Sequence, residues 1–309
     1  MSQITRGGVV YGGTTEIGNL YRCQRAAREG VTVRTRTLGE IIQDTIGIYQ
    51  KNLVPFIIVS VVGSFVVGVI NAISAQMTGT GGMMGALGDL SNTSDPAAME
   101  RALRQMESAG SQAAGAFGIT TALGIIASAV QTLNGGALTY AAGQAIQGNP
   151  VDPMASWTAV IGKVIVMMVA ALVVGVLFFV GVLLVITIPV VVYVAVRWGF
   201  FAQAYLLEDR APMASFSRSS ELVAGQWWRV LGIFIVCAIV FGLISAVIIG
   251  ILTAVLGFVP FIGIVAAATI GGALTGPLFP IAHTLLYYDL RARKEAPPAS
   301  PMAPPAPAI

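Results

Sequence analysis

Charge is what this chain has least of. Of its 309 residues only 10% are Asp, Glu, Lys or Arg, while 56% are hydrophobic. A mean hydropathy of +0.81 is wrong for a soluble domain of this length and suits a chain solvated mostly by lipid. The net charge of +3 is too small to point to nucleic acid. Cysteine is nearly missing as well. Cys23 lies in a polar stretch and Cys237 in a hydrophobic one, so neither a disulfide framework nor thiolate chemistry is expected. The single histidine, His283, leaves no metal-ligand cluster, and no Gly-rich phosphate loop or paired nucleophile and base is present. The sequence predicts no catalytic residue, no cofactor and no metal.

Long apolar runs are what is there. Leu38, Ile41, Ile42, Thr45, Ile46, Tyr49 and Leu53 recur at helical spacing, opposite Glu40, Asp44, Gly47 and Lys51. Such a helix lies in the membrane interface and then turns into the bilayer, here across Asn52 to Pro55. Span one runs from about Leu53 to Ala75. The polar segment 78–112 contains Asp95-Pro96, a helix-start signal, then Met99, Leu103 and Met106 on one face; it reads as a lid on the far surface. Span two, about 113–146, exceeds the roughly 20 residues a bilayer needs. It has to tilt, break near Asn134-Gly135-Gly136, or project. Val164 to Val196 carries no charge, and with its flanks it would make about 70 Å of helix. That length requires two spans, with a turn at Gly181 or at Thr187–Pro189. Spans five and six, about 230–256 and 261–288, precede a charged stop at 289–294.

The pattern repeats. Pro153-Met154-Ala155-Ser156-Trp157 returns as Pro212-Met213-Ala214-Ser215-Phe216, and Gly-Gly-Ala-Leu-Thr occurs at 135–139 and 271–275. Leu38, Tyr49, Lys51, Leu53 and Phe56 align with Phe216, Trp227, Arg229, Leu231 and Phe234. The expected fold is an all-α integral membrane protein of six transmembrane helices. They form three hairpins, about 37–146, 152–209 and 212–290, each preceded by an amphipathic elbow helix. A basic tail (1–36) and a Pro/Ala-rich tail (295–309) flank the membrane domain 37–294. Residues 1–36 hold no apolar run long enough for a signal peptide. Six spans put Lys51, Lys163, Arg210, Arg218, Arg229, Arg291, Arg293 and Lys294 on one side. The positive-inside rule then places both termini in the cytoplasm, with anionic lipid attracted to that face.

LGEIIQDTIGIYQKN at 38–52, Arg197-Trp198-Gly199-Phe200, Leu207-Glu208-Asp209, the elbow 219–228 and LLYYDLRARKE at 285–295 carry a resemblance. Together they resemble the membrane domain that accompanies bacterial glycerophosphodiester phosphodiesterases, and its stand-alone relatives. The resemblance covers about 37–294 and implies membrane architecture in the inner membrane. Hydrolysis in that family belongs to a separate soluble barrel, for which this chain has no counterpart, so no catalytic residue carries over.

Polar side chains within the spans are the candidate functional residues. Arg197 lies about ten residues inside the end of span four, where an arginine needs a carboxylate, exposed carbonyls or water. Glu40, Asp44, Glu208 and Glu221 are candidate elbow ion-pair partners for it. The other reading of Arg197 is contact with a substrate or lipid phosphate. His283, after Pro277 and Pro280, either bonds a carbonyl freed by those prolines or lines a cavity. Asn71, Gln131 and Asn134 suit interhelical hydrogen bonds or a polar pore. Gly242, Ala246 and Gly250 in span five, with Gly263, Ala267 and Gly271 in span six, predict a close five–six hairpin. The preferred function is a non-catalytic scaffold or accessory subunit for a membrane-protein partner, or for a second copy of this chain. A small-solute or lipid transporter is the alternative, and a head-group enzyme the third.

Overall fold

The computed structural model describes residues 35–78, 96–183, 188–259 and 261–295, all-helical between short connections. The expectations for residues 1–34, 79–95, 184–187 and 296–309 lie outside the described residues. So does Cys23.

α1 (Leu38–Lys51) begins at Thr37, where the threonine side chain and Glu40 close a reciprocal capping box. Asn52 ends it, and α2 (Leu53–Met77) follows at once. α3 (Pro96–Ile146) is one helix of 51 residues, about 76 Å long. Two expectations change here. There is no break at Asn134-Gly135-Gly136, because glycine weakens a helix by only about 1 kcal/mol and leaves its hydrogen-bond ladder intact. Residues 96–112 are not a separate lid but the first turns of this long helix.

α4 (Pro153–Ile161) is capped by Asp152, whose carboxylate accepts from Met154 and Ala155 N–H. It meets α5 (Val164–Leu183) at a 70° bend. α6 (Ile188–Trp198) and α7 (Phe201–Leu207) are divided at Gly199-Phe200. Gly181 lies within α5 and Pro189 within the first turn of α6, so neither is a turn residue; Thr187 lies outside the described residues. α8 (Pro212–Val223) and α9 (Trp227–Leu256) are joined through Gly225 at φ 80°, a left-handed conformation that suits glycine. α10 (Ile262–Thr275) and α11 (Leu278–Glu295) divide at Gly276-Pro277, the break the prolines predict. Five segments are long and apolar enough to cross a bilayer: α2, α3, α6–α7, α9 and α10–α11. The bent α4–α5 pair makes up to six. The protein is membrane-embedded and multi-pass.

α2 is the central post, packed chiefly against α3 and α10. Backbone approach explains why. A Cβ at Gly63 would stand 2.4 Å from Asn134 Cγ on α3, and one at Gly272 2.7 Å from Ser64 Oγ on α2. The ends of α3, α7 and α11 and the starts of α5 and α9 gather at one end, rich in arginine. There Gln147 reaches Tyr288, Lys163 reaches the Tyr205 carbonyl, and Arg229 reaches Asp289.

Candidate functional site

The basic end is organised by α11. Helical spacing puts Asp289 and Arg293 on one side and Tyr287, Arg291 and Glu295 on the other. Each side serves one buried carboxylate. Asp289 has no exposed surface. It accepts from Arg229 at 2.8 Å, from Arg293 Nε at 3.0 and 3.1 Å, and from the Arg36 backbone N–H at 2.5 Å. The Arg36 carbonyl accepts from both guanidinium groups, and the Arg36 side chain continues to Asp44 at 3.0 Å. One acid thus ties the residues before α1, the start of α9 and α11 into a single knot. Charge-assisted hydrogen bonds of this kind are roughly twice as strong as neutral ones.

Glu208, just past α7, is the second acid. Tyr287 donates to it at 2.5 Å and Arg210 at 2.5 Å, with Arg218 Nε at 3.3 Å and Arg291 at 3.7 Å. Burial alone would raise its pKa. The bonds from Tyr287 and Arg210 and the charges of Arg218 and Arg291 outweigh burial, so the carboxyl lies below the ordinary glutamate value. Arg218 also pairs with Glu295, and its guanidinium is held more firmly protonated than usual despite burial. Asp209 beside it takes Lys163 at 2.5 Å and is lowered by that bond.

Breaks in the spans free backbone groups, and these are met by side chains from elsewhere in the chain. At Gly199-Phe200, Ser219 on α8 donates to the Arg197 carbonyl at 2.7 Å and accepts from Phe200 N–H at 3.1 Å. At the α10–α11 break, Tyr49 donates to the Leu274 carbonyl at 2.7 Å, and Ser60 adds a second donor at 3.1 Å to the Gly272 carbonyl, which already accepts from Gly276 N–H. Arg36 at Asp289 and Tyr49 at Leu274 set α1 antiparallel alongside α11.

The proposed partners of Arg197 all have other roles. Its guanidinium reaches the Tyr193 hydroxyl at 2.9 Å and lies 5.7 Å from that ring, with no ion pair to a described acid. Glu40 caps α1, Asp44 takes Arg36, Glu208 serves α11, and Glu221 is exposed. Arg197 contacts α8 through its backbone carbonyl, which accepts from Ser219. It sits beside α8 and the first residue of α9, whose Trp227 indole donates to the Tyr193 carbonyl.

His283 bonds no carbonyl. Its Nδ1 meets Gln203 Nε2 at 3.1 Å, between the rings of Phe200, Phe234 and Phe279. Its Nε2, with Gln203 Oε1, Thr284 Oγ1 and Asn134 Oδ1, is buried without a hydrogen-bond partner. The three amides do not converge. Asn134 is buried against Gly63, whereas Asn71 and Gln131 face outward. The small-residue stripe on α10 is buried at Gly263, Ala267 and Gly271, and Gly271 receives Ile249 of α9. Gly242, Ala246 and Gly250 face outward and are not at that crossing, because α9 presents Ile249 instead.

Asp289, Tyr287, Ser219, Gln203 and Arg36 escaped the sequence reading. The available signal was Tyr287-Tyr288-Asp289 running directly into Arg-x-Arg at a span end, a pattern that places an acid and its own i+4 arginine on one face. Among the described residues no three His, Cys, Asp or Glu side chains are grouped to hold a metal. Comparison with protein-family models, with curated proteins and with solved structures finds no match for this chain.

Proposed function

We propose that this is a non-catalytic, six-span scaffold or accessory subunit of the inner membrane, with both termini cytoplasmic and α1, α4 and α8 forming a collar at the cytoplasmic face. One observation carries the reading. Most of the charged side chains of the basic end, Arg197 excepted among its arginines, are spent on one another and on backbone carbonyls, which builds a rigid frame rather than a reacting centre. Six crossings and a common side for the termini are supported by the gathering of helix ends there, and by the 70° bend ahead of α5. The kinship with the membrane domain of glycerophosphodiester phosphodiesterases belongs to the same proposal.

The partner in this reading is another membrane protein or a second copy of this chain. Purification in mild detergent, with identification of what co-elutes, tests it. A protein retained in fixed ratio, or a stable oligomer, is expected, and Asp289→Asn should release it. Elution as a lone monomer that moves solutes across proteoliposomes would overturn it. The transporter reading draws its support from the buried, unpartnered atoms of Gln203, His283, Thr284 and Asn134. It requires that flux be lost in Gln203→Leu.

A further inference from the structure

Arg197 differs from its neighbours at the basic end. Arg36, Arg210, Arg218, Arg229, Arg291 and Arg293 each meet a carboxylate. Arg197 meets a tyrosine hydroxyl instead, on a half-buried side chain, and Glu221 on the adjoining α8 makes no ion pair with it. An arginine left without an anion among the described residues has its charge available to an outside one. Its surroundings mark the level of lipid head groups. Tyr193 is 45% exposed and Trp228 79% exposed, and Tyr193, Trp227 and Trp228 form one continuous aromatic cluster with centroids 5.7 and 4.7 Å apart.

Beside this cation is a groove between α5 and α6 with a cavity volume of ≈ 130 Å³, bordered by Val174, Leu177, Val190, Val194 and Trp198. Its walls are almost entirely apolar. Val194, one turn before Arg197, and Trp198, next to it, both line the groove, so Arg197 adjoins the lining on α6. On the α5 side the wall begins ten residues past Val164, about 15 Å of helix beyond the basic end. The α5 wall of the groove therefore lies toward hydrocarbon depth, while Trp198 at its other end packs edge-on against Phe216 of α8.

We infer that the α5–α6 groove and Arg197 together bind one anionic phospholipid, its phosphate on the Arg197 guanidinium and Tyr193 hydroxyl and an acyl chain along the groove. A guanidinium fork fits phosphate oxygens, and the tyrosine hydroxyl supplies a second donor to the same oxygen once it turns from the arginine. A zwitterionic lipid brings its own ammonium against Arg197 and binds less well.

The test is native mass spectrometry of the full chain after reconstitution in vesicles of phosphatidylcholine and phosphatidylglycerol in equal parts. The wild-type protein is expected to retain one phosphatidylglycerol in preference to phosphatidylcholine. Arg197→Gln should lower that preference by about tenfold, the loss of a charge-assisted hydrogen bond. Arg197→Lys, which keeps charge without the fork, should lose less. Ala195 also lines the groove, and Ala195→Trp, which fills it with the guanidinium in place, should abolish retention. Equal retention of both lipids by the wild type, unchanged preference in Arg197→Gln, or unchanged retention in Ala195→Trp would each overturn the site. Should Arg197→Gln not give monodisperse protein, the lysine and tryptophan variants decide between the same outcomes.

Discussion

Removing the carboxylate of Asp289 should unfasten three parts of the protein at once. The side chain is 0% exposed, and its partners Arg229 and Arg293 are 30% and 29% exposed. Breaking a buried pair from one side costs about 3–5 kcal/mol. The two guanidinium groups keep some contact with water and can rehydrate, which places Asp289→Ala near the lower bound, at about 3 kcal/mol. Asp289→Asn retains an oxygen for the Arg36 N–H and loses only the charge, at about 2 kcal/mol. At about 2–4 °C per kcal/mol for a chain of this order, the alanine variant should melt about 6–12 °C lower in detergent. Intrinsic fluorescence during a thermal ramp reads this directly. The control is Glu100→Gln, which removes the Arg104–Glu100 pair on α3, where both side chains are more than half exposed. Such pairs are worth about 0–1 kcal/mol and are screened by salt. Equal shifts for the two sites, or disappearance of the Asp289 effect in concentrated salt, would refute the claim that one buried acid fastens the basic end.

Two further predictions rest on separate contacts. The Glu208 carboxyl lies below its unfolded value, so its contribution is present above the unfolded pKa of about 4.3 and is lost as pH falls through the lower folded value. The melting temperature of the wild-type protein should hold down to that region and then drop, and Glu208→Gln should flatten the drop; an unchanged acid limb in the variant would assign the drop elsewhere. Packing supplies the other contrast. A Cβ at Gly271 would stand 2.5 Å from Ile249 Cγ1, whereas one at Gly242 meets nothing within 4 Å. Gly271→Leu should therefore destabilise by about 1–3 kcal/mol in detergent while Gly242→Leu is near neutral, and equal melting temperatures would contradict the α9–α10 crossing.

How far the sequence could be read depended on range. Local rules carried the helices: the apolar stripe from Leu38 is α1, Pro96 starts α3, and Pro277 marks the break before α11. Long-range partnerships were not legible. Ser219 reads as one more elbow serine until α8 is seen lying across the Gly199 break. Asp289 reads as part of a charged stop because nothing local shows that Arg229 and the residues before α1 arrive at the same point. The small-residue rule succeeded on α10 and misled on α9 for a physical reason. A stripe of glycine and alanine permits close approach but does not specify it, and α9 meets Gly271 with Ile249, leaving its own glycines outward.

The broken spans and the ionic knots have one cause between them. A break such as Gly199-Phe200 or Gly276-Pro277 releases backbone groups that lipid cannot satisfy, so it persists only where a second segment supplies hydrogen bonds. Here those segments are α8, through Ser219, and α1, through Tyr49. Both must be held against the bundle for the bonds to form. Arg36 on Asp289 holds the start of α1, and Arg218 on Glu208 and Glu295 holds α8. The acids at the basic end therefore support the irregular backbone as well as the ends of the helices. This linkage accounts for the burial of Tyr287, Tyr288 and Asp289 on α11, although the helix ends in a run of charged residues. Its neighbours bury the apolar side chains of Ile281, Leu285, Leu286 and Leu290, and at its charged end they find both kinds of partner. Asp289 takes the Arg229 guanidinium, while Arg293 and Lys294 donate to the carbonyls of Arg36 and Ala224.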